Sequence, residues 1–202
     1  LGPAQEGCSS FIVQGDLTVD GRSLCGQTWD LATDNMPFVL GVRRKPTNGP
    51  RTFCLTTVGC LSLIGMNEAG IAVGTTNIRT TDARIGVCYL SLVHKALRTR
   101  SLLDATRVIT DSERAGAHYY YVVDAMGGAA AIECTARLHH VHSVDRGFYV
   151  HTNHALVPEH AQLEGPQPRQ SSLSRQERLE ELISSAQAEG QPIDAALMRR
   201  FV

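Results

Sequence analysis

The pattern that most constrains this chain is a change of hydrophobic period near Val87. Before it, short apolar runs alternate with turn residues. Phe11 and Val13, then Leu17 and Val19, flank Gln14-Gly15-Asp16, and Asp20-Gly21 leads into the run from Ser23 to Asp30. Apolar runs parted by Asp-Gly signal hairpins. Further strands are expected over 37–42, 52–58, 61–66 and 71–76, with turn residues at 45–50 and 67–70. After the change, Val87, Leu90, Val93 and Leu97 recur at helical spacing. Ser101 and Asp104 form a capping-box-like start for a second helix through Leu103, Val108 and Ile109.

Strands resume over 119–123, 129–134, 138–143 and 148–151, and the Pro, Gly and Gln of 158–170 predict a loop. Ser174 with Glu177 predicts a capped helix whose apolar face is Leu179, Leu182, Ile183 and Ala186, followed by another helix over 193–200. Strands, a helix pair, strands again and then helices predict an α+β protein with segregated layers rather than a βαβ alternation. No Gly-x-Gly-x-x-Gly opens a helix and no phosphate loop is present, which argues against a nucleotide-binding fold.

Composition narrows the function classes. A formal net charge of −1 sets up no field for nucleic acid or an anionic membrane. No apolar run approaches the ~20 residues of a membrane span. The six cysteines are scattered, with no paired or Cys-x-x-Cys spacing, which predicts free thiols in a reduced, cytoplasmic setting.

The chemistry centres on Gly7-Cys8. Glycine leaves its carbonyl unshielded, so the Cys8 thiol can attack its own peptide bond, form a thioester and let water release the preceding segment. Residues 1–7 then read as the end of a pro-segment and 8–202 as the catalytic domain. The new terminus carries a nucleophile and an amine on one residue. The amine's pKa of about 7.7–8.0 lies close to the thiol's about 8.5, so it can act as the base. Asp30, at the end of the strand hairpinned onto the Cys8 strand, reads either as an amine partner or as a local cap.

His151-Thr152-Asn153-His154 closes a strand. A metal reading would use its histidines with His139, His140 or His142, but no Asp or Glu completes a ligand set and the two histidines face opposite sides of a strand. Asn153 can instead donate to an oxyanion, where losing one donor costs about 10²–10³ in rate. Asn77 reads either as a second donor or as a turn residue. Arg175 reads either as a solvated charge at a helix start or as a clamp for a substrate carboxylate. Two rivals stand beside this reading. One is a papain-like pair of Cys8 and His151 with an Asn, which needs no free amine. The other is a non-catalytic or metal-binding α+β domain.

Glu6-Gly7-Cys8, Gly26-Gln27-Thr28-Trp29-Asp30, the run from Gly65 to Val73, the run from Arg114 to Tyr120 and His151-Thr152-Asn153-His154 follow in order. In that order the chain resembles the acyl-coenzyme A:6-aminopenicillanic acid (isopenicillin N) acyltransferase family of N-terminal-nucleophile (Ntn) hydrolases. The resemblance implies a four-layer αββα sandwich and self-cleavage between Gly7 and Cys8. It further implies that Cys8 carries the acyl group, that Asp30 is the acidic residue beside it and that Asn153 is the oxyanion donor. Weaker carry-overs come from the related bile-salt hydrolase and penicillin V acylase branch, to Asn77 and Arg175. That branch has an Arg where this chain has Gln27, which moves the reading toward acyl transfer. Family precursors carry a longer segment before the cysteine and extend beyond Val202, so either flanking sequence is missing here or the chain is a shortened relative; if residues 1–7 stay attached to Cys8, its amine is blocked and the protein is an unprocessed precursor. No cofactor is expected, and acyl-coenzyme A is a candidate substrate. Expected partners are a small-molecule amide or acyl donor, the cleaved pro-segment and, in a homo-oligomer, a second copy.

Overall fold

The computed structural model describes residues 7–166 and 169–202. Among the described residues, ten strands form two antiparallel sheets. In chain order they are β1 (Ser10–Val13), β2 (Leu24–Gln27), β3 (Val39–Arg44), β4 (Thr52–Thr57), β5 (Ile64–Asn67), β6 (Ala72–Asn77), β7 (His118–Val123), β8 (Ala129–Cys134), β9 (His139–Ser143) and β10 (Phe148–His151). The larger sheet runs in sequence order from β3 to β9, through short connections except between β6 and β7, where the helix pair intervenes. The smaller has the order β10-β1-β2, which brings the start of the chain beside residues near position 150.

Helices α1 (Tyr89–Ala96) and α2 (Leu102–Thr110) fill the period change and bury Leu92, Val93, Ala105 and Ile109 against one face of the large sheet. Ile12 of β1 and Cys25 of β2 pack with Tyr119, Tyr121 and Ala131 between the sheets. On the far side, Phe11 and Val13 meet Leu179 and Ile183 of α4 (Gln170–Ala188) and Leu197 of α5 (Ala195–Phe201). Alternation along β1 therefore sends even positions toward the large sheet and odd positions toward α4. The result is the αββα sandwich that the resemblance implied.

Several local expectations are corrected. Leu17 and Val19 do not extend a strand. Asp16 accepts from the Gly147 N–H, and the segment turns there, with only Thr18 bridging to Ile193. Pro37 lies in a 3-10 turn over Thr33–Phe38, because a residue without an N–H cannot donate to a ladder, and β3 starts only at Val39. The expected loop after 158 contains α3 (Pro158–Ala161), with proline in its first turn. Helix α4 begins at Gln170, four residues before the expected Ser174 cap, and Arg169 at its N-cap makes no side-chain cap. The polar first turn of α4 binds neighbouring loop residues instead. The Ser101 cap of α2 forms as expected, accepting from the Asp104 N–H at 3.1 Å. All six cysteines are free, and among the described residues no helix is long and apolar enough to cross a membrane.

Candidate active site

The site is built where β1 begins and where β2, β6 and β10 end. Just before β1, Gly7 forms an isolated antiparallel bridge with Asp30, and the Asp30 N–H donates to the Gly7 carbonyl at 2.9 Å. Gly7 is buried. A Cβ there would sit 3.0 Å from Asp30 Oδ2 and 3.1 Å from Arg175 Nη2, so glycine lets a carboxylate and a guanidinium close on this backbone.

The Cys8 N–H donates to Asn153 Oδ1 at 2.7 Å. The Cys8 carbonyl accepts from Arg175 Nη1. Burial, first, and then the Asp30 charge push the Cys8 thiol up to about 11. The backbone amide of Asn77, the Asn153 side chain and the Arg175 charge act in the opposite direction. In the uncleaved chain the sulfur is thus a neutral thiol near pH 7, with two hydrogen-bonding groups already turned toward it.

Asn153 is held on every side. Its Oδ1 also accepts from Arg175 Nη2 at 2.8 Å, its Nδ2 donates to the Asn77 carbonyl at 3.0 Å, and its backbone N–H donates to Ser172 Oγ at 2.8 Å. These contacts fix which end of the amide carries the NH2. Arg175 reaches this cluster from the second turn of α4, also donating to Ser9 Oγ at 2.9 Å. Arg175 thus directs its donors to the Cys8 carbonyl, Ser9 and Asn153 rather than lying as a solvated charge at the helix start. Asn77 takes part through its backbone, while its side chain is on an exposed residue.

The structure does not bring His151 to the thiol. Its residue is fully buried, its Nε2 lies 3.0 Å from Glu133 Oε2 and its Nδ1 lies 3.0 Å from the Thr152 carbonyl. The ring stacks on Tyr119 with 4.1 Å between centroids. Both ring nitrogens are taken, which removes the base of a papain-like pair. Among the described residues no group of three or more His, Cys, Asp or Glu could hold a metal ion.

Gln27 caps the edge of β6 beyond the end of β5. Its Nε2 donates to the Thr75 carbonyl at 2.9 Å and its Oε1 accepts from the Thr75 N–H at 2.8 Å. On the α4 side of β1 lies a cavity of about 540 Å³ lined by Ser9, Thr28, Asp30, Ser171, Arg175 and Leu179, among others. Sequence reasoning missed Glu133 and Ser172. The signal for Glu133 was a lone acid inside the buried run Ala129–Cys134; Ser172 gave none.

Comparisons with known proteins agree with this architecture. A Caenorhabditis elegans N-acylethanolamine-hydrolyzing acid amidase ortholog superposes with a TM-score of 0.66 at 14% identity, covering 96% of this chain and 85% of that one. A mutant of the conjugated bile acid hydrolase from Clostridium perfringens gives 0.63 at 13%, covering 96% and 77%. In sequence, the 40 kDa form of the acyl-coenzyme A:6-aminopenicillanic-acid-acyltransferase from Emericella nidulans is 26% identical over 183 residues, 90% of this chain. An uncharacterized Archaeoglobus fulgidus protein is 28% identical over 138 residues, 64% of this chain. The matches span 50% and 23% of those two relatives' own lengths. The profile of the acyl-coenzyme A:6-aminopenicillanic acid acyl-transferase family matches residues 18–199, starting after Cys8 and including Asp30, Asn153 and Arg175. With nine-tenths of its length matched, the chain belongs to that family.

Proposed function

We propose that this chain is a self-processing cysteine amidohydrolase or acyltransferase that cleaves between Gly7 and Cys8. One observation carries the reading: the carbonyl and N–H of the Gly7–Cys8 bond and the Cys8 sulfur are all met by one cluster of Asp30, Asn77 and Asn153. The Asp30 N–H holds the Gly7 carbonyl oxygen, Asn153 Oδ1 takes the Cys8 N–H, and the Asn77 amide and Asn153 side chain face the sulfur.

In the self-cleavage step the Cys8 sulfur attacks the Gly7 carbonyl carbon. The negative charge develops on the oxygen already bonded to the Asp30 N–H, a donor placed for the charged state. The C–N bond breaks, the nitrogen takes the proton that the thiol gave up, and a thioester remains. Water then splits the thioester, leaving a carboxylate on Gly7 and a thiol and free amine on Cys8. That amine, beside Asp30, becomes the base for later turnover. A substrate amide or thioester acylates Cys8, and the Asn153 Nδ2 and the Asn77 N–H are the candidate donors for the new oxyanion. Water or an amine then takes the acyl group.

Family membership supports a small-molecule amide or acyl donor as substrate. The named relatives act on conjugated bile acids, on N-acylethanolamines and, with acyl-coenzyme A, on 6-aminopenicillanic acid. The absence of Arg at Gln27 favours acyl transfer over bile-salt hydrolysis. The cleaved pro-segment staying with the domain, a homo-oligomer and a cytoplasmic setting are part of the same proposal.

Intact mass spectrometry of protein extended before Leu1 tests the reading. Wild type is expected to lose everything before Cys8, and Cys8→Ala to remain whole. Processed wild type should gain one acyl group at Cys8 from an activated ester. Uncut wild type that also takes up no acyl group would end the proposal.

A further inference from the structure

Glu133 is a buried carboxylate, 2% exposed, at the end of β8 and away from Cys8. Four donors converge on it. His151 Nε2 lies at 3.0 Å and His160 Nδ1 at 2.8 Å, while the backbone N–H groups of Leu156 and Val157 donate at 2.7 and 3.2 Å. Burial alone would push this carboxyl up, but the His151 bond and charge and the two amides outweigh it and hold it below its ordinary value. So elaborate a set of partners for one buried charge calls for an explanation, since burying a carboxylate is costly unless it is well bonded.

The bonds define a closed loop. His151 begins the segment 151–157 and the Leu156 and Val157 amides end it, so one carboxylate joins both ends, and Asn153 lies between them. The interior is held by three neighbours, Thr76, Ser172 and Glu164, whose Oε1 accepts the Ala155 N–H at 2.6 Å. Thr76 Oγ1 lies 2.5 Å from the Thr152 carbonyl, and Ser172 Oγ accepts the Asn153 N–H. Thr152 Oγ1 donates to the Ser172 carbonyl at 2.9 Å.

We propose that Glu133 is a positioning residue for the Cys8 site: by tying His151 to the amides of Leu156 and Val157, it sets the shape of the loop that aims Asn153 at Cys8. The proposal rests on reading Cys8 as the nucleophile and Asn153 as its partner. Glu133 touches neither reacting atom; it acts through the loop.

The experiment has two arms, run on the full chain. The first is amide hydrogen exchange at Asn153 and at Ile109 of α2, which needs no enzymatic activity. In Glu133→Gln, exchange at Asn153 is expected to accelerate about tenfold or more while Ile109 keeps its wild-type protection, as local rather than global opening predicts. The second arm is a cycle of Glu133→Gln, Asn153→Ala and the double variant, followed by self-cleavage and Cys8 acylation. Glu133→Gln should slow both by about tenfold or more, and the double variant should be no slower than Asn153→Ala alone, because the two residues act as a unit. Unchanged exchange at Asn153, or losses that multiply in the double variant, would overturn the proposal. If Glu133→Gln does not accumulate as folded protein, His151→Gln cuts the same tie from the other end. Wild-type exchange and wild-type rates in His151→Gln would then overturn it. If wild type itself neither cleaves nor acylates, the functional reading falls, and the exchange arm still decides the role of Glu133.

Discussion

The backbone N–H of Asp30 donates to the carbonyl of Gly7 at 2.9 Å. The residue whose carboxylate is proposed to hold the amine after cleavage thus also holds, through its backbone, the oxygen of the bond to be cleaved. Self-cleavage and turnover would then draw on different atoms of one residue. Asp30→Asn, which keeps the backbone, should self-cleave within about threefold of wild type yet lose roughly 10²-fold or more in later acyl transfer, the lower end of a general acid–base contribution. Mass spectrometry of processing beside steady-state turnover separates the two.

Gly7 sits where a Cβ would crowd Asp30 Oδ2 and Arg175. Gly7→Ala should slow self-cleavage about tenfold, and Gly7→Val more, with the same product and little change in thermal stability. A misplacement of about 1 Å in a reacting group has effects of this order or larger. Time courses of the cleaved fraction by intact mass provide the check.

Arg175 donates to the Cys8 carbonyl, Ser9 Oγ and Asn153 Oδ1 together. A lysine carries the charge but not the planar fork. Arg175→Lys should therefore behave nearly like Arg175→Ala, with processing reduced about 10²-fold, on the scale of a lost transition-state donor. Processing in Arg175→Lys within a few-fold of wild type would mean that charge alone suffices.

The Cys8 thiol stands at about 11 in the uncleaved chain. If the thiolate is the attacking species, the self-cleavage rate should rise about tenfold per pH unit from 7 toward 10 and level off only near 11. The sign follows from burial favouring the neutral form, so that raising the pH supplies the reactive one. A rate that is flat above pH 8 would place proton removal after the slow step. The same logic applies to stability at Cys134, buried at 0% exposure, whose thiol is pushed up to about 12. Its raised folded pKa contributes stability below about pH 9, and that contribution fades as pH rises toward 12, by up to about 1.4 kcal/mol per unit. Urea melts of wild type and Cys134→Ala should converge in this window.

Arg114 is 3% exposed and donates to the carbonyls of Ile109, Thr110, Ser112, Thr135 and Leu138. It closes the C-terminal end of α2 and ties it to the turn after β8. Arg114→Ala should cost on the order of 3 kcal/mol by leaving several of these carbonyls unpaired, with self-cleavage of the folded fraction unchanged. Denaturant unfolding measures the first quantity and intact mass the second.

Arg114 also shows what the sequence could and could not convey. It stands in a motif that carries the family resemblance, yet its contacts place it in the fold rather than the site. The strand meander, the helix pair and the proximity of Cys8 to Asp30 were legible because hairpins are local and their spacing reports their pairing. Asn153 was legible as one polar residue in a cluster that ends an apolar strand. Arg175 stays ambiguous in sequence because Ser174 and Glu177 spell a capped helix start, which makes the arginine a first-turn charge facing water. With the true start at Gln170, it lies a turn deeper. His151 looked chemical because histidines often are, and its burial beside Glu133 depends on a contact 18 residues away that no local pattern encodes.

Helix α4 engages four different neighbours in little more than two turns. Ser172 takes the Asn153 N–H, Arg175 reaches Cys8, Gln176 donates to the Val150 carbonyl and Leu179 enters the core beside Phe11. Each residue added inside that span would rotate everything beyond it by about 100° around the axis and shift it about 1.5 Å along it. The helix thus works as an indexing pin: while Leu179 is seated among the apolar side chains, Arg175 has one angular setting. Between Ser172 and Leu179, residue spacing is therefore as strict a requirement as residue identity.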